Sequence, residues 1–477
     1  MASKESPEVM EAISNKAPVT LQHEETGAGA EKVHDAFSDI DPKAEKRLLL
    51  KIDLRLSGTL WILYLLSYMD RTNIANAKIA GMDQDLSLSD NDYSLAIVLF
   101  IVGYITGGVP SNMFLSRFRP TIYIPCMMAL WGTVVAFMGM IKTSTQLIAL
   151  RLVLGLVEAT FVPAVAFLIS TWYKKTEQSK RFMVFTSAAV LSGVFGSVTA
   201  GAISDSLDGA HGITGWRWLF IVEGVVTVGI AGLSYFTLVD YPSTCKRFTP
   251  EERDLATRRL LADGVSHSAD GERAISHWGA LRAALTNWRI YLLVVGYHCI
   301  ISTLSLSYFY PYIVHGLGYT ANQAHYVTAF VIAVPCCILA DHYSAYRGLF
   351  ICAGLFIAAI LSGLTMAITG YVPRYIFLCF LTACIWTANP ISESFEASSM
   401  STIEPEVRAI GLALMNSLGN TAQIYGGYLL PSTDAPRYVR GFSTFTALLV
   451  FGGCVYVSAM LLFKRYPFTH VIPANRR

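Results

Sequence analysis

Long apolar runs alternate with short polar stretches along most of the chain. A helix needs about 20 mostly apolar residues to cross a bilayer. Twelve runs have the composition of such helices, and we predict that each spans a membrane. The predicted spans are residues 58–80, 94–115, 122–141, 146–173, 182–204, 217–239, 290–314, 324–340, 349–370, 374–394, 407–430 and 443–463.

One longer polar stretch, residues 240–289, separates the first six predicted spans from the last six. This arrangement predicts two six-helix bundles, 58–239 and 290–463, joined by a cytosolic linker. The polar ends are predicted to be cytosolic tails. Residues 1–57 lack the pattern of a signal peptide and are expected to be disordered, and residues 464–477 form the second tail.

Composition supports a membrane protein. Of the 477 residues 53% are hydrophobic and only 15% are charged, whereas soluble domains carry roughly 25% charged residues. A net charge of +2 without a basic domain argues against nucleic-acid binding. The nine cysteines lack zinc-binding spacing, so we expect neither a metal site nor a cofactor. The motifs of hydrolases and nucleotide-binding enzymes are absent from the sequence, which argues against an enzyme.

The distribution of basic residues predicts the orientation. With a cytosolic amino terminus, most of the 36 lysines and arginines fall on the cytosolic side, as the positive-inside rule requires. We therefore expect a multi-pass protein with both termini in the cytosol. The plasma membrane is the expected location, and a vacuolar membrane is the alternative.

Five ionisable residues stand out inside the predicted spans, where each needs a partner or a function. Asp70 and Arg71 lie roughly 18–20 Å along the first span, and Arg151 enters the fourth span at a similar depth. Glu158 follows Arg151 by about two turns on the same helix face, roughly 10 Å deeper. The spacing predicts a column in which Arg151 neutralises Asp70. The fifth residue, Glu223, is interpreted as a structural partner of the Arg217 end of its helix or of another span.

Such a column suits proton-coupled transport of an anion. Arginine offers a planar fork to a carboxylate, and a carboxylate in a low-dielectric site binds protons more readily. Protonation of Asp70 or Glu158 would release an arginine to hold substrate. Two alternatives stay open. The charges could be static ion pairs that fix helix packing, or the first span could end at Met69, which would place Asp70 and Arg71 at the interface.

Polar residues in the second half complete the candidate site. Asn416, Asn420 and Gln423 form a stripe on the eleventh span that we expect to face a cavity. His298 on the seventh span is either hydrogen-bonded within the bundle or part of a substrate and proton path.

Small residues recur at four-residue spacing on two spans, which allows close helix packing. They are Gly103 and Gly107 on the second span, and Ala189, Gly193, Ser197 and Gly201 on the fifth. Tight packing is the simpler interpretation. The alternative is that the fifth span slides against a partner during transport.

Several segments resemble the major facilitator superfamily, and within it the anion:cation symporter family with its fungal allantoate and vitamin-anion permeases. They are YMDRTNIANAK, PSNMFLSRF, LRLVLGLVEA, GWRWLFIVEG and DAPRY. The resemblance implies an all-α membrane protein with the major facilitator fold, twelve transmembrane helices in two bundles, that works as a monomer by alternating access. It implies proton-linked roles for Asp70 and Glu158. It also implies an anion site lined by Tyr68, Arg71, Arg151, Asn416 and Asn420, to which we add His298 as a candidate.

The chain departs from the family pattern at three places. Residues 119–122 replace the usual Gly-Pro and basic pair. The eighth predicted span, 324–340, contains Pro335 and reaches only about 25 Å, which indicates a tilted helix or a missing stretch. Glu393 and Glu396 replace a weakly polar run near the predicted cytosolic end of the tenth span.

The predicted function is secondary active transport of a small organic anion, such as a carboxylate vitamin or an allantoate-like metabolite, with protons across the lipid bilayer. Export of a secondary metabolite by the same fold is the alternative. Sensing without transport is the third possibility.

Overall fold

The computed structural model describes residues 41–265, 276–306, 323–368, 370–426, 429–430, 434 and 437–468. Every regular element within these ranges is helical. The first half begins with a surface helix, α1, so the expectation that residues 1–57 are disordered is wrong for residues 42–57, where Leu48 and Ile52 are buried. The predicted spans follow, and the fourth is divided into two helices at residues 159–160. The bounds are α1 Pro42–Ile52, α2 Gly58–Ala77, α3 Asp90–Leu115, α4 Pro120–Met138, α5 Ser144–Glu158, α6 Phe161–Trp172, α7 Gln178–Ser206 and α8 Gly215–Thr237.

The linker and the second half follow the same plan. The first linker helix is started by a capping box in which the Thr249 hydroxyl accepts from the Glu252 backbone N–H and the Glu252 carboxylate accepts from that of Thr249. The bounds are α9 Pro250–Ala262, α10 His277–Thr286, α11 Trp288–Leu304, α12 Gln323–His342, α13 Arg347–Ala367, α14 Tyr371–Ser399, α15 Pro405–Asn420 with the short Ala422–Gly426, and α16 Val439–Arg465.

Eight helical segments of the described chain, one of them the continuous stretch of α5 and α6, are long and apolar enough to cross a membrane, and the pair α10 and α11, bent by 69°, could add a ninth. Several predicted spans fall outside this set, and for two of them the reason is evident. Helix α2 has the length but carries Asp70, Arg71 and Asn73 in its second half, and α15 has only 16 residues. Both helices carry polar residues of the predicted site. The helices that fall short in length or apolar character are therefore the ones that carry these residues.

Two expectations about span length are corrected. The eighth span is not short, because α12 has 20 residues, which extend roughly 30 Å and match the hydrocarbon core. A missing stretch is therefore not needed to explain its length. The first span does not end at Met69 either, since α2 continues through Asp70 to Ala77 and Asp70 is only 2% exposed.

Glycines bring α3 and α5 into backbone contact. A Cβ on Gly103 would lie 2.4 Å from the Leu152 carbonyl oxygen, and one on Gly155 would lie 2.1 Å from that of Phe100. The packing interpretation is thus confirmed for the second span. It is wrong for Gly193 and Gly201 on α7, where a Cβ would have no atom within 4 Å.

One end of the molecule, which we call the linker face, carries α1, α9 and the polar ends of several spans. Arg259 on α9 contacts Glu45 at 3.2 Å and Glu177 at 2.5 Å, which ties the linker to α1 and α7. At the same face Asp341 of α12 accepts hydrogen bonds of 2.9 Å from the backbone N–H groups of Ser179 and Lys180. These contacts join the first half to the second and close the space between them at this end.

Candidate transport site

A cavity with an empty volume of about 1050 Å³, its mouth included, lies between the two halves. Helices α2, α3, α6 and α7 line it from one side, and α11, α14 and α15 line it from the other. Its polar lining includes Tyr68, Arg71, Tyr104, Glu393, Asn416 and Asn420.

Arg71 is the cationic group of this cavity. Its guanidinium carbon lies 5.2 Å from the ring centre of Tyr68 and 4.7 Å from that of Tyr104, within the range of cation–π attraction. Its Nε donates to Glu158, which also accepts a 2.9 Å hydrogen bond from the Ser67 hydroxyl. Nη2 of Arg71 has no partner. The guanidinium is therefore fixed on one edge and free on the other.

The amides of α15 face Arg71 from the opposite half. The Tyr104 hydroxyl donates to Asn416 Oδ1 at 3.0 Å, and the Asn420 amide donates to the Asn416 carbonyl at 2.7 Å. Asn416, Asn420 and Gln423 all line the cavity. The prediction that this stripe faces a cavity is confirmed.

The predicted pairing of Asp70 with Arg151 is wrong. Arg151 is 2% exposed, and its Nε and Nη2 lack hydrogen-bond partners. Arg71, the residue after Asp70, makes the ion pair with Glu158 instead. Arg151 interacts electrostatically with Tyr93, then Glu158, then Asp70. The four charges do form one buried cluster, but only Arg71 lines the cavity.

Glu223 is the residue that sequence reasoning undervalued. Its side chain interacts with that of Asp70, where α8 packs against α2, while Arg217 pairs with Asp85 at 3.1 Å instead. Asp70 and Glu223 are 2% and 6% exposed, and oxygens of both lack a hydrogen-bond donor. Glu223 follows Gly215 by eight residues, or roughly 12 Å. The depth comparison used for Asp70 and Arg151 would have found this neighbour.

His298 lies apart from the groups around Arg71. Its Nε2 is 2.7 Å from the Tyr425 hydroxyl, and its Nδ1 is 3.3 Å from the Thr421 hydroxyl. It is not among the residues that line the cavity in the described part of the chain. Its role in substrate binding stays a prediction.

Glu393 and Glu396 lie deeper in the protein than the sequence indicated. The helix α14 continues to Ser399, and the two carboxyls are 8% and 3% exposed. The Tyr297 hydroxyl donates to Glu393 at 3.4 Å, and the Tyr456 hydroxyl donates to Glu396 at 3.3 Å. Glu393 lines the main cavity, whereas Glu396 lines only a small adjoining one.

Comparisons with known proteins agree with this architecture. The family model described as Major Facilitator Superfamily matches residues 60–427. The chain is 30% identical to the MFS transporter prlL of Fungal sp. (strain NRRL 50135), over 93% of this chain and 91% of the relative. It is 27% identical to the pantothenate transporter liz1 of Schizosaccharomyces pombe, over 88% of this chain and 82% of the relative.

A solved structure shares the fold. The proton:xylose symporter XylE aligns with a TM-score of 0.62 at 13% identity, over 87% of this chain and 95% of that chain. Together with the family match, this shows a membrane carrier built around a cavity between two helical halves. The chain belongs to the major facilitator superfamily. It is a multi-pass membrane transporter with the twelve-helix fold of that family, and not an enzyme.

Proposed function

We propose that this transporter carries a small organic anion together with protons, as members of the anion:cation symporter family do. The observation that supports the proposal is the state of Arg71. Its Nε is held by Glu158, its Nη2 is buried without a hydrogen-bond partner, and the residue lines the cavity. A guanidinium with a free edge is suited to bind a carboxylate.

Proton coupling would act through the carboxyls behind Arg71. Glu158 competes with a substrate anion for Arg71, so a proton on Glu158 would free the guanidinium for the substrate. Asp70 and Glu223 are two buried carboxyls in contact. Ionising both would be costly, because two negative charges would then lie close together. We therefore assign proton binding to Asp70 and Glu158, with Glu223 sharing the proton of Asp70.

One relative supports the substrate class. The similar protein liz1 is a pantothenate transporter, and pantothenate is a carboxylate. We also propose that the chain acts as a monomer in the plasma membrane, with the linker face toward the cytosol.

Uptake into vesicles containing the purified protein tests the proposal. Labelled pantothenate and other small carboxylates are offered at two external pH values. We expect faster uptake at the more acidic external pH, and loss of that difference in Asp70→Asn and Glu158→Gln. Asp254→Asn on the exposed side of α9 is the control and should keep the native profile. Carboxylate uptake that is equal at both pH values would contradict proton coupling, and no uptake of any carboxylate would contradict the substrate class.

A further inference from the structure

The wall of the cavity formed by α14 presents a carboxyl group to the space that Arg71 enters. Glu393 is 92% buried, as its relative exposure of 8% shows, and it lines the cavity. Its Oε2 has no hydrogen-bond partner. Tyr297 and Asn389 are the side chains that hydrogen-bond to it in the described chain, and the Tyr297 contact is long at 3.4 Å. A buried oxygen without a donor costs roughly 1–3 kcal/mol, so this residue needs an explanation.

Ion pairing within the protein does not supply that explanation. Glu393 takes part in none of the ion pairs found within the described ranges. Arg71 lines the same cavity, but its partner is Glu158 on the other half. Tyr64 interacts electrostatically with both Glu393 and Arg71, so the two charged groups share one neighbourhood. Two residues that line this cavity, one cationic and one with a carboxyl group, therefore each have a buried polar atom without a hydrogen-bond partner.

We propose that Glu393 selects organic anions that also carry a hydrogen-bond donor, such as a hydroxyl, an amide N–H or an ammonium group, on the part of the molecule remote from the carboxylate. The substrate carboxylate binds Arg71, and the donor binds Oε2 of Glu393. This inference rests on the proposed function, since it requires the carboxylate at Arg71. It adds the substrate's second functional group, which an anion site alone leaves undefined.

Glu396 provides a matched comparison. It is on the same helix, is buried to a similar degree and also accepts from a tyrosine hydroxyl. However, it lines only the small adjoining cavity and not the large one. A general effect of removing a buried carboxyl from α14 should appear in both variants, whereas an effect on ligand choice should appear only in Glu393→Gln.

The test measures binding to the purified full-length protein by ligand-induced thermal stabilisation. The probes are pentanoate and hexanoate, each with no substituent, a terminal hydroxyl or a terminal amino group. Satisfying a buried oxygen that otherwise lacks a donor is worth about 1–3 kcal/mol, so the native protein should prefer a donor-bearing probe by roughly 5- to 150-fold. Glu393→Gln should reduce that preference, the ratio of the affinities for the substituted and unsubstituted acids, by about tenfold. Glu396→Gln should keep the native preference.

Three other results would overturn the inference. Equal affinity of the native protein for substituted and unsubstituted acids would show that the cavity does not select for a donor. An undiminished preference in Glu393→Gln would assign the selection to another group. In both cases the proposed anion transport would stand. If the native protein bound none of the carboxylates and vesicle uptake also failed, the anion site itself would be refuted, and the role of Glu393 with it.

Discussion

Replacing Gly155 with alanine should separate α3 from α5. The new Cβ would lie 2.1 Å from the Phe100 carbonyl oxygen, whereas ordinary contacts begin near 3.4 Å, so the helices must separate by about 1.3 Å at this point. Overpacking of this kind costs about 1–3 kcal/mol. Because the Tyr104 ring on α3 contacts the Arg71 guanidinium, the separation should also move this ring relative to Arg71. We expect Gly155→Ala to lower the apparent melting temperature and to reduce uptake by about tenfold or more.

Thermal unfolding of the purified protein and vesicle uptake measure the two effects. Gly201→Ala is the control, since its Cβ would have no atom within 4 Å. Alanine is also the better helix former, by about 1 kcal/mol. If Gly155→Ala had the same melting temperature and the same uptake as Gly201→Ala, the backbone contact between α3 and α5 would not exist as described.

Three further variants test other parts of the structure. Asp341→Asn breaks a buried ion pair and should destabilise the protein by about 3–5 kcal/mol in thermal unfolding. The control, Arg258→Ala, breaks an exposed pair and should change stability by less than about 1 kcal/mol. Equal effects of the two variants would refute the structural role of the buried pair. Arg151→Met removes a buried guanidinium with unpartnered nitrogens, so the melting temperature should not fall, and a clear drop would show that Arg151 is structural. Burial acts to raise the pKa of Glu45, but Lys174 and Arg259 outweigh it and hold that pKa below its usual 4.5. The stabilisation of the folded protein by the ionised Glu45 is therefore present above about pH 4.5 and is lost as pH falls through the lowered pKa. Glu45→Gln should therefore speed hydrogen exchange in α1 at neutral pH, and its effect should shrink as the pH falls below 4.5, whereas the exposed Glu251→Gln should match the native protein throughout.

The helical membrane fold could be predicted because hydrophobic length is read directly from the chain. Each predicted span with described residues contains a helix in the structure, and the family match confirms the fold. Span ends were less certain, since a polar residue can lie inside a helix when neighbouring helices surround it. The helix α14 extends five residues beyond the predicted end at residue 394, to Ser399. Glu393 therefore lies in the cavity wall and not at the surface.

The residues of the site were predictable, but several of their partners were not. Helical spacing correctly placed a buried cluster around Asp70, Arg71 and Glu158. It could not decide which of two consecutive residues faces the fourth span, because these differ by only about 100° around the helix. The contact of Asp70 with Glu223 depends on α2 packing against α8, a neighbour relationship that no pattern within one helix reveals.

Asp70 and Arg71 are joined by a single peptide bond on a rigid helix, and this has a mechanical consequence. One side chain points into the protein toward a carboxyl, and the next reaches the ligand space. A small rotation of α2 about its axis would swing both groups at once and by the same angle. Proton binding at Asp70 and ligand binding at Arg71 would then both depend on the same rotation of α2. The ratio of protons to substrate would follow from the geometry of this helix and would need no series of intermediate residues.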